Sequence, residues 1–427
     1  MIDKYFFVKG GAERYFFELM DILERRGHAV IPFSMKHPAN RETPYSDTFV
    51  ENIDFNPRSP LQKISIGIRS LGRIFYSVQA KLRLARLIRK TRPDIAHLHM
   101  IDHQLSPSIL PVLKKAGIPV VQTVHTFKLV CPAYRLYHMG RQEVCEKCLK
   151  GSYWRPLAER CHKNSFFATL LVVLETLFHK AFRFYERGVD LFLVPSRFMG
   201  SKLIEGGIRP EKIRHIFYTI EIAQYRPSYS SDAYFLYYGR LSEEKGLLTL
   251  LRAVQGGVGL PLHIAGDGPQ RPVLEKTVRD RKIGAVRFLG ILEGEALKRA
   301  VARSRFVVVP SEWYENSPLV IYESMAMGKP VIGADMGGIP ELIEPGVDGF
   351  LFPAGDAESL RNRIRLLAEH PEMPRKMGRA ARKKAERLFA PSAHYDRLME
   401  LYREARPSRT ESSQYGKGVS CSKNPSF

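Results

Sequence analysis

Two glutamates, Glu315 and Glu323, stand with seven residues between them, and the segment joining them is built to bring both to one anion-binding corner. Phe306 to Pro310 is short, apolar and β-branched, the pattern of a strand buried on both faces, and polar Ser311 to Asn316 follows as a loop. Ser317 then reads as an N-cap, Pro318 as the first helical residue and Gly328 as the stop. Free backbone N–H groups and the dipole at such a helix start favour an anion such as phosphate, and carboxylates accept hydrogen bonds from hydroxyls. The combination fits a phosphate-bearing, hydroxyl-rich ligand; it also fits a plain capped helix with two solvent-facing acids. Arg240 and Lys245 leave the end of the strand Tyr234 to Tyr238 together, where two cations can hold a diphosphate, although most surface Arg and Lys are merely solvated. His125 follows the apolar run Ile118 to Val124 at the kind of strand end where open α/β sheets collect ligands; a structural histidine is the alternative.

A second cluster has a different chemistry. Cys131-x13-Cys145-x2-Cys148-x12-Cys161 can supply four tetrahedral sulfur ligands, with His138 and His162 as spare donors, and zinc is the default metal for a structural site of that kind. The spacing is not that of a standard finger, so a reversible disulfide and unpaired thiols stay open. A metal here would pin a long insertion.

The elements that must position these groups alternate strand and helix twice. Phe6 to Val8 run into Gly10-Gly11 and a helix, Ala12 to Arg26; Ala29 to Ser34, Asp94 to His99, Ile118 to Val124, Asp190 to Pro195 and Lys212 to Tyr218 read as strands. The Gly-Gly pair permits a ligand to approach the backbone, though it is more often just a turn. Residues 36 to 70 are polar and irregular. After a polar stretch near Pro227 the pattern restarts with Tyr234 to Tyr238, Leu262 to Ala265, Val286 to Leu289, Phe306 to Pro310 and Pro330 to Ala334. The organisation expected is 1–222 as a first α/β unit with a shortened first strand and a cysteine insertion at 131–161, 223–232 as linker, and 233–388 as a second unit. A C-terminal helix at 389–406 returning to the first unit and a disordered tail at 407–427, with Cys421, complete it.

Composition narrows the partners. With 44% apolar and 26% charged residues the chain is that of a globular protein, and its net charge of +22 fits an anionic partner. No secretory leader or bilayer-length apolar run is read, so a cytoplasmic protein is expected, at the inner face of the plasma membrane if it meets lipid. The basic helix between Gly72 and Lys90 reads as a solvated face or a membrane contact. The apolar run Phe166 to Phe178 reads as a buried helix or one lying on a membrane, and the basic run Arg375 to Arg387 as solvent-facing.

Gly-Gly-Ala-Glu at 10–13, Gly-Arg-Leu-x3-Lys-Gly at 239–246, Gly-Asp-Gly-Pro at 266–269, Glu-x7-Glu at 315–323 and Gly-Gly-Ile-Pro-Glu at 337–341 together resemble the retaining glycosyltransferases of family four, over about residues 5 to 403. The resemblance implies a GT-B fold, α/β throughout, with two Rossmann-like domains facing each other across a cleft. It implies a nucleotide-diphosphate sugar as donor, held mainly by the second domain, and a glycan or polyprenyl-linked acceptor at the first. It further implies that Arg240 and Lys245 neutralise the leaving diphosphate, Glu323 holds the ribose and Glu315 the transferred sugar. Asn316, Ser317 and Leu319 would donate backbone N–H groups, Gly11 would approach the diphosphate, and His125 would lie near the anomeric carbon. No catalytic metal is expected. Tyr218-Thr219-Ile220-Glu221 departs from the Asn-Gly-x-Asp common at the domain junction, and the cysteine insertion belongs to only part of the family.

Two other classes stand beside this one. A sugar-nucleotide or polysaccharide binding protein that has lost catalysis would keep the fold. A zinc-dependent nucleic-acid binder would use the charge and the cysteines, but no nucleic-acid module accompanies them and no nucleic-acid partner is expected.

Overall fold

In the computed structural model, which describes residues 1–52 and 72–406, most strands are three to five residues long and most of their side chains are buried. The tail 407–427 with Cys421, and the irregular stretch beyond residue 52, lie outside the described residues. The first sheet holds β1 (Ala96–Leu98), β2 (Val120–Thr123) and, after a hairpin of β3 (Tyr137–His138) and β4 (Glu143–Val144), β5 (Leu191–Val194) and β6 (Ile213–His215). Its order is β1-β2-β5-β6, all parallel. β1, β2 and β5 are buried throughout, as a parallel sheet covered on both faces requires of its Val, Leu and Ala residues. Ile2 extends the sheet past β1 through isolated bridges to Leu98 and to Phe33. The strand expected over Ala29 to Ser34 reduces to that bridge at Phe33, because Met1 to Asp3 are the backbone it has to pair with.

The second sheet has six parallel strands: β7 (Phe235–Tyr238), β8 (Leu262–Ala265), β9 (Val286–Gly290), β10 (Val307–Val309), β11 (Val331–Ala334) and β12 (Gly349–Phe352), in the order β12-β11-β10-β7-β8-β9. The order reverses between β7 and β10, so their carboxyl ends leave a crevice that no crossover covers, the usual ligand position in an open α/β sheet. In the first sheet the corresponding reversal lies between Ile2 and β1, and the turn at Gly10 opens beside it.

The two units share a core. One buried cluster runs from Tyr15, Leu19 and Leu193 through Tyr218 and Ile220 to Ile321, Tyr322 and Val331. The helix Pro391–Glu404 lies against the first unit: His394 meets the Tyr15 hydroxyl at 3.1 Å and the Phe217 carbonyl at 2.9 Å, and the Tyr402 hydroxyl meets His97 at 2.7 Å.

Packing sharpens two sequence readings. The helix Phe166–Ala181 is only half covered: Val172, Val173, Thr176 and His179 face inward, while Phe166, Phe167, Leu174 and Leu177 are exposed. The basic run is not wholly solvated either, since Arg382 donates to the Tyr225 and Ala326 carbonyls and Lys384 pairs with buried Asp348 at 2.7 Å.

Burial pushes His394 from 6.5 down to about 4. Its folded value lies below its unfolded one, so between the two the unfolded chain binds more protons; the stability it secures is full above pH 6.5 and is lost as pH falls toward 4. Relative to His394→Gln, the unmodified chain should lose about 1.4 kcal/mol per pH unit across that window. Urea midpoints at several pH values measure this, and parallel curves for the two proteins would contradict it.

Candidate active site

The crevice between β7 and β10 is lined by two loops that leave those strands. After β7 the chain turns at Gly239 through Arg240 and Leu241 to a short 3-10 turn, Glu243–Lys245. Gly246 closes the turn with φ 68, and a Cβ there would lie 1.8 Å from the Pro310 carbonyl oxygen, so only glycine lets the two loops touch. After β10, Ser311 to Ser317 form the second loop, and the helix Leu319–Ala326 follows. It starts one residue later than the sequence predicts. Pro318, with ψ 119, occupies the N-cap position and has no side chain to cap with, and the Ser317 hydroxyl bonds Tyr322 at 2.5 Å instead. Ile321 N–H bonds the Pro318 carbonyl at 3.0 Å, and no side chain caps the N–H groups of Leu319 and Val320, which leaves those two for an anion.

The groups singled out from sequence converge here as pairs. Glu315 is 7% exposed, and its Oε1 accepts from Lys245 Nζ at 2.6 Å and from the Ser311 hydroxyl at 2.8 Å. Burial works against its ionisation, but the Lys245 ammonium and these hydrogen bonds hold the carboxyl below its ordinary value. Glu323, 6% exposed, is paired across the cleft with Arg14 at 2.6 Å and accepts from the Tyr238 hydroxyl at 3.2 Å. Arg240 is exposed at the mouth. Gly11, the first residue of the helix Gly11–Arg25, packs so closely on Leu319 that a Cβ would come within 3.3 Å of it.

His125 is buried just beyond β2 and closes the far wall. Its Nδ1 meets the Tyr218 hydroxyl at 2.7 Å, its Nε2 meets His99 Nδ1 at 2.9 Å, and its carbonyl accepts from the Asn316 amide. Burial lowers it to about 3, so the ring is neutral at physiological pH and both its nitrogens are engaged. Asn316 is thereby oriented by the opposite domain, with its Oδ1 buried and lacking a protein partner.

The cysteines do not reach this crevice. Cys131, Cys145, Cys148 and Cys161 are free thiols lining a separate small cavity in the insertion. The three ligand-type groups there that lie within 4.8 Å of one another are His138, Glu159 and Cys161 rather than the thiols alone.

Five participants were not anticipated. Arg14 and Tyr238 hold Glu323, the Glu341 carboxylate accepts the N–H groups of Arg197 and Phe198 at the start of the helix Arg197–Glu205, and the Tyr314 hydroxyl donates to Glu146 at 2.8 Å. Arg14 and Glu341 each adjoin or end a glycine motif read from sequence, which was the available signal for them; Tyr238 and Glu146 carry no such mark.

Comparison with known proteins follows the same division of the chain. Residues 9–223 match the family described as Glycosyltransferase Family 4, and residues 220–384 that described as Glycosyl transferases group 1. Among curated relatives, the sulfoquinovosyl transferase SQD2 of Arabidopsis thaliana is 32% identical over 222 residues, 48% of this chain and 43% of that protein. The amylovoran biosynthesis glycosyltransferase AmsK of Erwinia amylovora is 31% identical over 50% of this chain and 56% of its own length. The chain thus spans about half the length of these relatives. A glycogen synthase of Mycobacterium tuberculosis is 25% identical over 88% of this chain and 87% of that one. Among solved structures, HepE of Anabaena in complex with UDP superposes with a TM-score of 0.66 at 19% identity, covering 94% of this chain and 98% of HepE, a likeness of GT-B fold. The sucrose-phosphate synthase of Thermosynechococcus elongatus gives 0.65 at 21% identity, with 92% and 93% covered.

Gly338 offers a direct test of the loop's support, because a Cβ there would lie 2.0 Å from the Asn316 carbonyl oxygen. Gly338→Ala should cost about 1–3 kcal/mol of stability, whereas Gly284→Ala, with open space around it, should be near neutral. Denaturant midpoints of the two variants read the difference.

Proposed function

The chain belongs to Glycosyltransferase Family 4, and on that premise we propose that it moves a sugar from a nucleoside diphosphate donor to a hydroxyl of a cell-surface glycan or polyprenyl-linked acceptor, retaining the anomeric configuration. The observation that carries this reading is the Lys245–Glu315 pair at the reversal between β7 and β10, beside the open start of the helix Leu319–Ala326.

The roles follow from charge and reach. The donor diphosphate lies against Arg240, Lys245 and the backbone N–H groups of Asn316, Ser317 and Leu319, with the Gly11 backbone approaching from the first domain. Negative charge grows on the diphosphate as the glycosidic bond breaks, and these preorganised donors answer it without a catalytic metal. Glu323 takes the ribose hydroxyls once Arg14 gives way, and Glu315 holds hydroxyls of the transferred sugar. The departing phosphate accepts the acceptor's proton on the same face, so no carboxylate attacks the sugar. His125, neutral and held through both nitrogens, shapes the wall near the anomeric carbon and takes no proton.

UDP and UDP-glucose are seen with HepE, which makes uridine diphosphate sugars the first donors to try. A screen of uridine and guanosine diphosphate sugars, read as nucleotide release with and without a lipid-diphosphate acceptor, should find one donor whose release rises with acceptor. Glu315→Gln should then lower kcat by about 10²–10³ while nucleotide affinity stays within about threefold. Unchanged turnover in that variant would sink the assignment. Nucleotide binding without turnover by the unmodified chain would favour the binding protein that has lost catalysis.

The lipid side of this reading has its own observation. Phe167 is 79% exposed on a helix face shared with Phe166, Leu174 and Leu177, and exposed Trp154, Lys163, Phe182 and Arg183 flank it. No helix among the described residues is long and apolar enough to cross a membrane. An apolar stripe with cations at its ends suits the surface of an anionic bilayer, at the inner face of the plasma membrane where lipid-linked acceptors are met. Phe167→Glu with Leu174→Glu should reduce co-sedimentation with phosphatidylglycerol vesicles at least about tenfold. Turnover of a water-soluble acceptor should be unaffected.

A further inference from the structure

The cysteine insertion is the part of the first domain that its sheet does not explain. Between Val130 and Ser165 its regular structure is the β3–β4 hairpin and the five-residue helix Arg155–Glu159. Tyr134, Leu136, Gln142, Arg160, Lys163 and Asn164 all take left-handed backbone conformations although none is glycine, each at a cost of order 1 kcal/mol. Cys131, Ala133, Leu136 and Leu149 anchor one side of it in the core of the first domain; beyond them Cys148, Tyr153 and Val173 form only a small cluster of their own, with Leu157 against it. A strained segment with so small a core needs a cross-link to hold one shape.

The four free thiols line one cavity of about 20 Å³, room for a single water-sized guest. No three of the sulfurs lie within 4.8 Å of one another, so an ion would have to draw them in from the cavity wall; the backbone N–H groups of Ala133, Arg135 and Leu136 face the Cys131 sulfur, the second layer of donors that steadies a metal-bound thiolate. The competing set of His138, Glu159 and Cys161 is compromised, because the Glu159 carboxylate is held by Lys147 at 2.6 Å and Arg141 at 3.4 Å. Four sulfur donors around a one-ion space suit zinc.

We propose that Cys131, Cys145, Cys148 and Cys161 bind one zinc ion, and that the Cys145-Glu146-Lys147-Cys148 knuckle it ties holds Glu146 as a brace on the loop that carries Glu315. Glu146 sits between two of the ligands. Its Oε1 accepts from the Tyr314 hydroxyl at 2.8 Å and pairs with Lys202 at 2.8 Å, while the Tyr314 ring packs on Phe198 at 4.6 Å. Tyr314 immediately precedes Glu315, so the knuckle sets the position of the buried carboxylate from across the cleft. Glu146 is a positioning residue: it touches Tyr314, not the ligand. Only the functional meaning of the brace rests on the glycosyl-transfer reading; the metal and the contact do not.

Elemental analysis of protein purified without chelator should give one zinc per chain, and Cys145→Ser with Cys148→Ser should lose it. Cobalt put in place of zinc should show the intense visible bands of tetrahedral four-thiolate coordination, unchanged by His138→Ala. A native chain with no metal and four reactive thiols, a mass showing disulfides, or a spectrum altered by His138→Ala would overturn the site. Cysteine variants can fail to fold, so zinc is also stripped from the folded chain by chelator and then returned. The brace is read in a Trp154→Phe background, where Trp313, one residue before Tyr314, is the remaining tryptophan. Its emission should shift on stripping and recover on return, and Glu146→Gln should keep the zinc but lose that response. An identical response in Glu146→Gln would refute the brace, whether or not any sugar is transferred.

Discussion

A carboxylate taken out of water must find a cation, and this requirement organises the protein. Leaving either charge alone in the interior costs several kcal/mol, and three of the buried glutamates come with a cation. Glu315 has Lys245, Glu323 has Arg14 and, behind the insertion, Glu175 has Lys128 at 2.7 Å. The first two pairs occupy the corner where the proposed function puts a diphosphate and its ribose. On the proposed function, ligand entry would be an exchange of partners: phosphate competing with Glu315 for Lys245, and ribose hydroxyls competing with Arg14 for Glu323. The two buried carboxylates of the site are thus both paired, which keeps the empty site stable.

The same economy governs the cleft. Its rim is joined by polar contacts: Glu341 to the start of the helix Arg197–Glu205, Asn316 to the His125 carbonyl, Tyr314 to Glu146. Each is the type of bond that water replaces at a net cost of about 0.5–1.5 kcal/mol. At the base, by contrast, Tyr218, Tyr322 and Phe389 are packed together, with Tyr322 and Phe389 ring centres 4.2 Å apart. The two units are thus joined by an apolar base beneath a polar rim.

How much of this was legible in the sequence depended on how local its cause was. Short buried strands, glycine turns and the Glu315 loop declare themselves within a few residues, and so the two α/β units and the convergence of Glu315, Lys245 and the helix start were readable. Ser317 was misjudged as the cap because its hydroxyl had a better partner in Tyr322, a contact that no propensity encodes. Phe166–Ala181 could be read either as buried or as lying on a membrane, because a helix apolar all round has no polar face to reveal which side meets water. Arg382 and Lys384 looked solvated because the carbonyls and carboxylate that hold them come from other elements. Arg14, Tyr238 and Glu146 were silent for the same reason: their partners are fixed by the closing of two domains.

The helix Pro391–Glu404 bears on how the molecule comes into being. Tyr15 and His394 are 379 residues apart in the chain, and His97 and Tyr402 are 305 apart, yet each couple is buried within the first unit. Synthesis delivers the first unit's sheet long before the helix that covers it. On the ribosome that sheet waits with His97 and Tyr15 uncovered while the whole second unit is made. The first domain to be translated is thus the second to be completed, and during that interval its uncovered face is the surface a chaperone would meet.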